Sequence, residues 1–304
     1  MLSSLAKRAR VPDADIKPIE IAEDGGLTRT RAAGDPEAIR QAAAALIQAA
    51  EAPGFRLPML PDTATEAMAL AGDPNTPMNR LERAIMTDAV LAARMLAVAS
   101  SPAFAGAPVR SLAAALQRLG TGAIRDVLYQ SVMECHVFRG EDERAARAQR
   151  EHAIAVARLT KAVCKVAGID QSQAFVCGLL HDIGHLALRM LVKHPALAKL
   201  TPEQTKSVHD IAHTTLGARM GAKWKLPELA LEAARRHHRY ADWEPGVYSQ
   251  IGHVVAVADL VADHLGVGTS PRELTEVELE RIAALGLDPQ NLIEVARQAF
   301  AAGI

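Results

Sequence analysis

From Asp35 onward apolar residues return every three or four positions, and the pattern is interrupted at short intervals by Pro, Gly, Asp, Ser or Thr. That period stacks apolar side chains on one face of a helix. The interruptions carry the chemistry of helix ends. Asp35 can accept a hydrogen bond from the first turn, Pro36 fits the first helical position, and Pro53 with Gly54 stops that helix near Ala52. Asp62 opens a helix to about Ala71, Thr76 with Pro77 opens another, and Thr87 or Asp88 opens the run through Val98. Ser111 starts a helix to Leu119 with Gly120 placed as its cap, and Thr121 restarts one to about Val137. Further helices are predicted over 142–166, 171–193, 203–223, 227–238 and 248–265. Two short amphipathic ones finish the chain, the second opened by Asp288 and Pro289. Residues 1–34, broken by Pro12, Pro18, Gly25 and Gly26, read as a tail or irregular strap, and 57–61 as a stiff extended piece.

Composition agrees with helices. Hydrophobic residues make up 49% of the chain but aromatic ones only 3%, with an Ala and Leu surplus that favours helices packed through small side chains. The expected fold class is all-α, a two-lobed helical bundle. The sharply polar run 138–150 marks the boundary between lobes. This divides the chain into an N-terminal tail and helix (1–52), an N-terminal helical lobe (53–141) and a C-terminal helical lobe (142–304).

The formal charge of −1 gives no global electrostatic reason to bind nucleic acid or an anionic membrane. Cys135, Cys164 and Cys177 are odd in number, sit in apolar helical context and lack the paired spacing of zinc ribbons, so they read as reduced core residues. No apolar run has the length of a signal peptide's central region or of a membrane span. The expectation is a cytoplasmic protein.

Ten of the eleven histidines fall between His152 and His264, and two of them bracket a carboxylate in His181-Asp182-Ile183-Gly184-His185. Imidazole nitrogen with carboxylate oxygen is a ligand set for iron, manganese, zinc or, with more oxygen, magnesium. His213, the pair His237 and His238, and Asp259 follow on separate predicted helices, the arrangement by which bundle cores converge ligands on one point. His181 and Asp182, adjacent on a helix, point about 100° apart and reach one ion only if it lies along the helix edge between them. HDIGH also imitates the zinc-protease HExxH helix, with an Asp too short to replace the Glu base. His185 is read as facing the rim, His209 as on a solvated face, and His136, His194, His253 and His264 as surface or interhelical residues. Trp224 reads as a core anchor, with Trp243 left open. Arg235, Arg236 and Arg239 form a local positive patch that reads either as a phosphate contact or as a solvated helix end.

The run Ala174-Phe175-Val176-Cys177-Gly178-Leu179-Leu180-His181-Asp182-Ile183-Gly184 resembles the signature helix of the HD superfamily, and in detail its HDOD branch of bacterial signalling proteins. The resemblance extends over roughly 55–264, through 57–61, 85–96, 111–120, His213-Thr214-Thr215-Leu216-Gly217-Ala218, Trp224-Lys225-Leu226-Pro227 and His237-His238. Ala89 and Ser100-Ser101 depart from the family pattern. His185 stands where the cyclic-dinucleotide phosphodiesterases of the HD-GYP branch carry Lys, and their Gly-Tyr-Pro motif is missing.

The resemblance implies an HD-like C-terminal lobe with metal ligands at His152, His181, Asp182 and Asp259, and with His213, His237 and His238 holding a second metal or contacting phosphate. Under it Asp182 and His213 are the catalytic candidates, and His237, His238 and Arg236 the residues for a phosphorylated ligand. The implied cofactor is a divalent metal (Fe, Mn, Mg or Zn) in one or two copies. The implied role is a cytosolic regulatory module acting through signalling partners or a phosphorylated small molecule, with a homodimer open. The alternative is a metal-dependent phosphohydrolase acting on a nucleotide or other phosphate ester.

Overall fold

The computed structural model describes residues 35–56, 59–104, 109–138, 143–238, 247–268 and 271–301, the side chains of 247–249 and 299–301 excepted. The predicted tail 1–34, Leu57 and Pro58, the lobe boundary at 139–142, and Arg239 with Trp243 lie outside the described residues.

Among the described residues the fold is helical with no strand. The first helix, α1 (Pro36–Glu51), starts as its sequence predicts, with the Asp35 carboxylate accepting from Glu37 N. The N-terminal lobe follows as α2 (Asp62–Gly72), α3 (Met78–Met86), α4 (Ala89–Ala99) and α5 (Leu112–Val132). Asp88 and Ser111 cap α4 and α5. Gly120, at φ 71°, breaks α5 where the sequence placed a helix end, because a left-handed backbone there carries no steric cost for glycine. A five-residue π turn, Met133–Val137, extends α5.

The second lobe is built around the long helix α6 (Glu143–Ala167), against which pack α7 (Ala174–Leu180) and α11 (Val247–His264). Outside these lie α8 (Gly184–Met190), α9 (Pro202–Lys223) and α10 (Glu228–Arg236). α8 packs along α9, while α10 bridges α9, α7 and α11. Then α12 (Glu276–Ala284) and α13 (Pro289–Ala301) close the described chain, α13 returning to α6. α1 docks on α9, inside the second lobe, with Arg219 paired to Glu51. The lobes meet where α5 touches α7 and where Lys161 on α6 pairs with Asp126 on α5 at 2.7 Å.

The small-residue composition has a direct structural use. At Gly178, a Cβ would fall 2.6 Å from Thr160 Oγ1 and 2.7 Å from Ala157 Cα, so α6 and α7 touch backbone to backbone. Apolar burial between them is continuous through Val156, Leu159, Val163, Val176 and Leu180. Cys164 and Cys177 are buried free thiols, as read from sequence, and burial pushes Cys164 up to about 12. Trp224 is buried in the core. Among the described residues no helix is long and apolar enough to cross a membrane.

The one element at odds with the sequence pattern lies in the signature segment. The single helix predicted over 171–193 is two helices, α7 and α8, joined by a turn at 181–183. Successive i to i+3 bonds, from Ile183 N to Leu180 O, His185 N to Asp182 O and Leu186 N to Ile183 O, tighten the chain there. The cause is tertiary. Gly184 is driven so close to α9 that a Cβ on it would overlap His213 O and lie 2.7 Å from Gly217 N. Apolar periodicity carries no trace of such a contact.

Candidate metal centre

Four helices and the 181–183 turn deliver the candidate ligands. α6 supplies His152, α9 supplies His213, the end of α10 supplies His237 and His238, and α11 supplies Asp259 and Asp263. His152, His181, His213, His237, His238 and Asp259 are all buried.

Four of the rings, those of His152, His181, His213 and His237, are aimed by a backbone carbonyl. Nδ1 of His181 donates to Gly178 O at 2.7 Å, Nδ1 of His213 to His209 O at 2.8 Å, and Nδ1 of His237 to Ala234 O at 2.9 Å. Nδ1 of His152 donates to Val267 O at 3.1 Å. A carbonyl oxygen only accepts, so the proton of each neutral ring sits on Nδ1 and its Nε2 lone pair points into the site. The loop that presents Val267 O approaches closely because Gly268, at φ 75°, leaves no Cβ to meet Ala148 O or the His152 side chain.

Asp182 stands between two sets of nitrogens. Its Oδ1 is 3.3 Å from Nε2 of both His213 and His237. Its Oδ2 is 3.4 Å from Nε2 of His181 and 3.9 Å from Nε2 of His152. Asp259 Oδ1 completes the second set, 3.0 Å from His152 Nε2 and 3.7 Å from His181 Nε2. His238 completes the first, and His152, Asp259 and Asp263 form a further overlapping group.

These spacings fit metal ligation on their own terms. Donors held roughly 2.0–2.2 Å from one ion stand about 3 to 4 Å apart. The facing Nε2 atoms of His213 and His237 are 3.2 Å apart with both Nδ1 positions already donating, so two lone pairs oppose each other unless a cation lies between them. His181 Nε2 is buried and makes no hydrogen bond. The groups could therefore hold divalent metal, with Asp182 shared between the two sets.

Protons are the competing cations. Burial disfavours a charged His152, but the Asp259 carboxylate, with Asp182 and Asp263 behind it, overrides burial and raises the ring to about 9. His213 is also raised against burial by Asp182, whereas burial pushes its neighbour His237 down to about 4. Desolvation of Asp182 is outweighed by His181, His185, His213 and His237, which hold its carboxyl well below the usual range.

A pH dependence follows for the metal-free protein. His152 has a folded value of about 9 against 6.5 unfolded, so its stabilisation is complete below pH 6.5 and lost as pH rises through 9. His237, depressed to about 4, changes stability only below pH 6.5, while His213, also raised, acts in the same direction as His152. Chelator-treated protein is expected to lose up to about 3 kcal/mol between pH 6.5 and 9.5 in urea unfolding. Stability that stays flat or rises across the window would show that Asp259 does not hold a charged His152.

A cavity of about 910 Å³ opens onto His152, Asp182 and His185. His185 lies at its rim, the side chain 32% exposed, its ring stacked on His213 with centroids 4.5 Å apart. His185 joins none of the metal-capable groups among the described residues, so the HExxH-like pairing with His181 finds no geometric partner. His209, expected on a solvated face, instead lines the cavity. His253 Nε2 donates to Arg281 O on α12 and His264 Nδ1 to Arg272 O in the loop after α11, each at 2.9 Å, as interhelical residues.

Arg236, expected at the phosphate, is engaged by Glu232 at 2.6 Å and does not line this cavity. The basic residues that do line it are Arg189, Lys206 and Arg272. Asp263 also escaped the sequence reading, although its position one turn after Asp259 on α11 was a usable signal. Gln149, three residues before His152, was equally legible. Arg272 comes from the loop after α11, where no periodicity points to it.

Side chains from four helices and one turn of an all-α bundle thus converge on Asp182. The HDOD domain family model matches residues 57–240, and the chain belongs to that family. Among solved structures, an HDOD domain protein of unknown function from Geobacter sulfurreducens aligns at 21% identity with TM-score 0.62, covering 85% of this chain and 89% of that one. A protein from Shewanella amazonensis SB2B, provisionally assigned as a metal-dependent phosphohydrolase, aligns at 19% identity and TM-score 0.63 over 87% and 99% of the two chains. One from Marinobacter aquaeolei VT8, provisionally assigned to signal transduction, aligns at 22% and 0.62 over 87% and 63%. These likenesses show the fold. An uncharacterised Treponema pallidum protein is 26% identical over 234 residues, 71% of this chain and 44% of its own length. The cyclic-di-AMP phosphodiesterase PgpH of Bacillus subtilis is 32% identical over 94 residues, 29% of this chain and 13% of its own length. The chain thus spans less than half of either curated relative.

Proposed function

We propose that this chain is a regulatory module of the HDOD type, working in the cytoplasm through protein partners, whose His/Asp centre holds one or two divalent ions and whose cavity receives a phosphorylated ligand. The observation that carries this reading is the aim of the rings. Four imidazoles are each fixed through Nδ1 by a backbone carbonyl, so that their Nε2 atoms converge on the carboxylates of Asp182 and Asp259. Packing alone gives no reason to point four lone pairs at one another.

His152, His181, Asp182 and Asp259 would hold one ion, and His213, His237 and His238 with Asp182 a second. A bound divalent ion supplies Lewis acidity toward a phosphoryl oxygen and acidifies water near neutral pH. Asp182, kept ionised by its imidazole neighbours, balances the charge of both halves. Its backbone carbonyl accepts from Gln149 Nε2 at 3.4 Å, which ties the 181–183 turn to α6.

A second reading, a phosphohydrolase acting on a nucleotide or other phosphate ester, is favoured by His185. Its imidazole stands at the boundary between the candidate ligands and the cavity, 3.9 Å from Asp182 Oδ2, and burial, which pushes it down to about 3, leaves it neutral and able to accept a proton from a bound ligand. In that reading Asp182 and His213 are the catalytic pair that positions the reacting phosphate.

The readings separate in one assay. A panel of phosphate esters is incubated with the chain and Mn, Fe or Mg, with Asp182→Asn beside it. The regulatory module predicts metal uptake and ligand binding without multiple turnovers. Sustained hydrolysis that disappears in Asp182→Asn would replace it with the hydrolase. Partner binding is checked by affinity capture, where an absence of any specific protein together with turnover would also favour the hydrolase.

A further inference from the structure

The cavity continues well beyond the ligand cluster, and three helices line it in register. α6 contributes His152, then Gln149 and Ala148, then Ala145. The second wall begins at Asp182 and His185, continues through Leu188 and Arg189 on α8, and ends at Val192. On α9 the order is His209 and Asp210, then Thr205 and Lys206, then Pro202. The series on α6 and α9 step by three or four residues over seven, so the lining follows one face of each for two turns, about 10 Å, beside the wall from Asp182 to Val192.

The chemistry changes with height. At the bottom are His152, Asp182 and Asp263 of the candidate centre, with His185, His209 and Asp210 beside them. One turn up, two cations line it, Arg189 from α8 and Lys206 from the neighbouring α9. Arg189 donates to Gln149 Oε1, and Gln149 donates to Asp182 O, so this level is bonded directly to the turn carrying the ligands. The uppermost level is apolar, with Ala145, Val192 and Pro202. A volume of about 910 Å³ is far larger than a single phosphate needs and lies within the range of pockets for organic ligands.

We infer that the ligand carries a second anionic group, separate from the phosphate at the histidine and aspartate cluster and held between Arg189 and Lys206, with an organic body reaching the apolar rim. This rests on the proposed phosphate-binding role of the centre. Two cations lining the same stretch of one cavity, one of them fixed in orientation by Gln149, match a phosphoryl or carboxylate group better than a neutral one. A ligand with one phosphate would leave that level filled only by water.

The test compares butyl phosphate with butane-1,4-diyl bisphosphate, which differ only in the second phosphoryl group, by calorimetry on the manganese-loaded chain at fixed ionic strength. The bisphosphate is expected to bind about 10-fold more tightly. Lys206→Ala is expected to shrink that preference to threefold or less, and Lys206→Arg to restore it. Lys206 is exposed, so folding should survive, as thermal unfolding would verify. Arg189→Gln gives an independent check from the other wall. Equal affinity for the two probes in the unaltered chain would overturn the second subsite and leave the phosphate-binding centre standing. Manganese uptake with neither probe bound would overturn both.

Discussion

Replacing Asp182 by Asn is expected to abolish metal binding at both halves of the centre together, with affinity for manganese falling at least about 100-fold in calorimetry. The size of the effect follows from position. Oδ1 faces His213 and His237 while Oδ2 faces His181 and His152, so one substitution removes a charged donor from each set. It also leaves His213 without the carboxylate that favours its charged form, so the variant should take up fewer protons near pH 7 as well as less metal. Asn keeps the shape of the side chain, which separates loss of ligation from loss of packing. An Asp182→Asn chain that binds manganese as tightly as the original would show that the carboxylate is not shared between the sets.

Gly184→Ala is expected to be the most disruptive change at the smallest cost in atoms. The added Cβ would overlap His213 O and stand 2.7 Å from Gly217 N, contacts made by backbone that cannot rotate away. Separating α8 from α9 would move His213 off Asp182. A loss of about 3 kcal/mol or more is expected, about 10 °C in melting temperature, together with weakened metal uptake. Gly122→Ala provides the contrast, since a Cβ there meets nothing within 4 Å and lies on a helix where Ala is preferred. It should leave melting unchanged or slightly raised. Equal stability of the two variants would mean that the 184–217 approach is looser than described.

These two sites show what the sequence revealed and what it concealed. Helix starts were legible because their chemistry is local, as with Asp35, Asp88 and Ser111, each accepting from the turn it opens. The stop at Gly120 was legible for the same reason. The ligand set was found from histidine clustering and the motif around His181, and the structure brings His152, His181, Asp182, His213, His237, His238 and Asp259 within one group of overlapping contacts. The turn at 181–183 was concealed, because it is imposed by the crossing at Gly184 and not by any residue preference within the segment.

Arg236 illustrates a second limit. Its charge beside the histidine pair was visible in the sequence, but its partner Glu232, one turn earlier on α10, takes that charge up. The cations that reach the cavity, Arg189 and Lys206, sit one helical turn or two from ligands on the same faces, and that spacing was readable only once the faces were known. Val267 had no signal at all, since its contribution is a carbonyl oxygen placed by the loop at Gly268.

Diffraction from crystals of the manganese-loaded chain, recorded at the manganese absorption edge, tests the shared-centre claim most directly. The account predicts an anomalous peak roughly 2.0–2.3 Å from His152 Nε2, His181 Nε2 and a carboxylate oxygen each of Asp182 and Asp259. A second occupied position would lie at His213, His237 and the other oxygen of Asp182. Anomalous density absent from this cluster, with His152 and Asp259 simply sharing a proton at 3.0 Å, would contradict it.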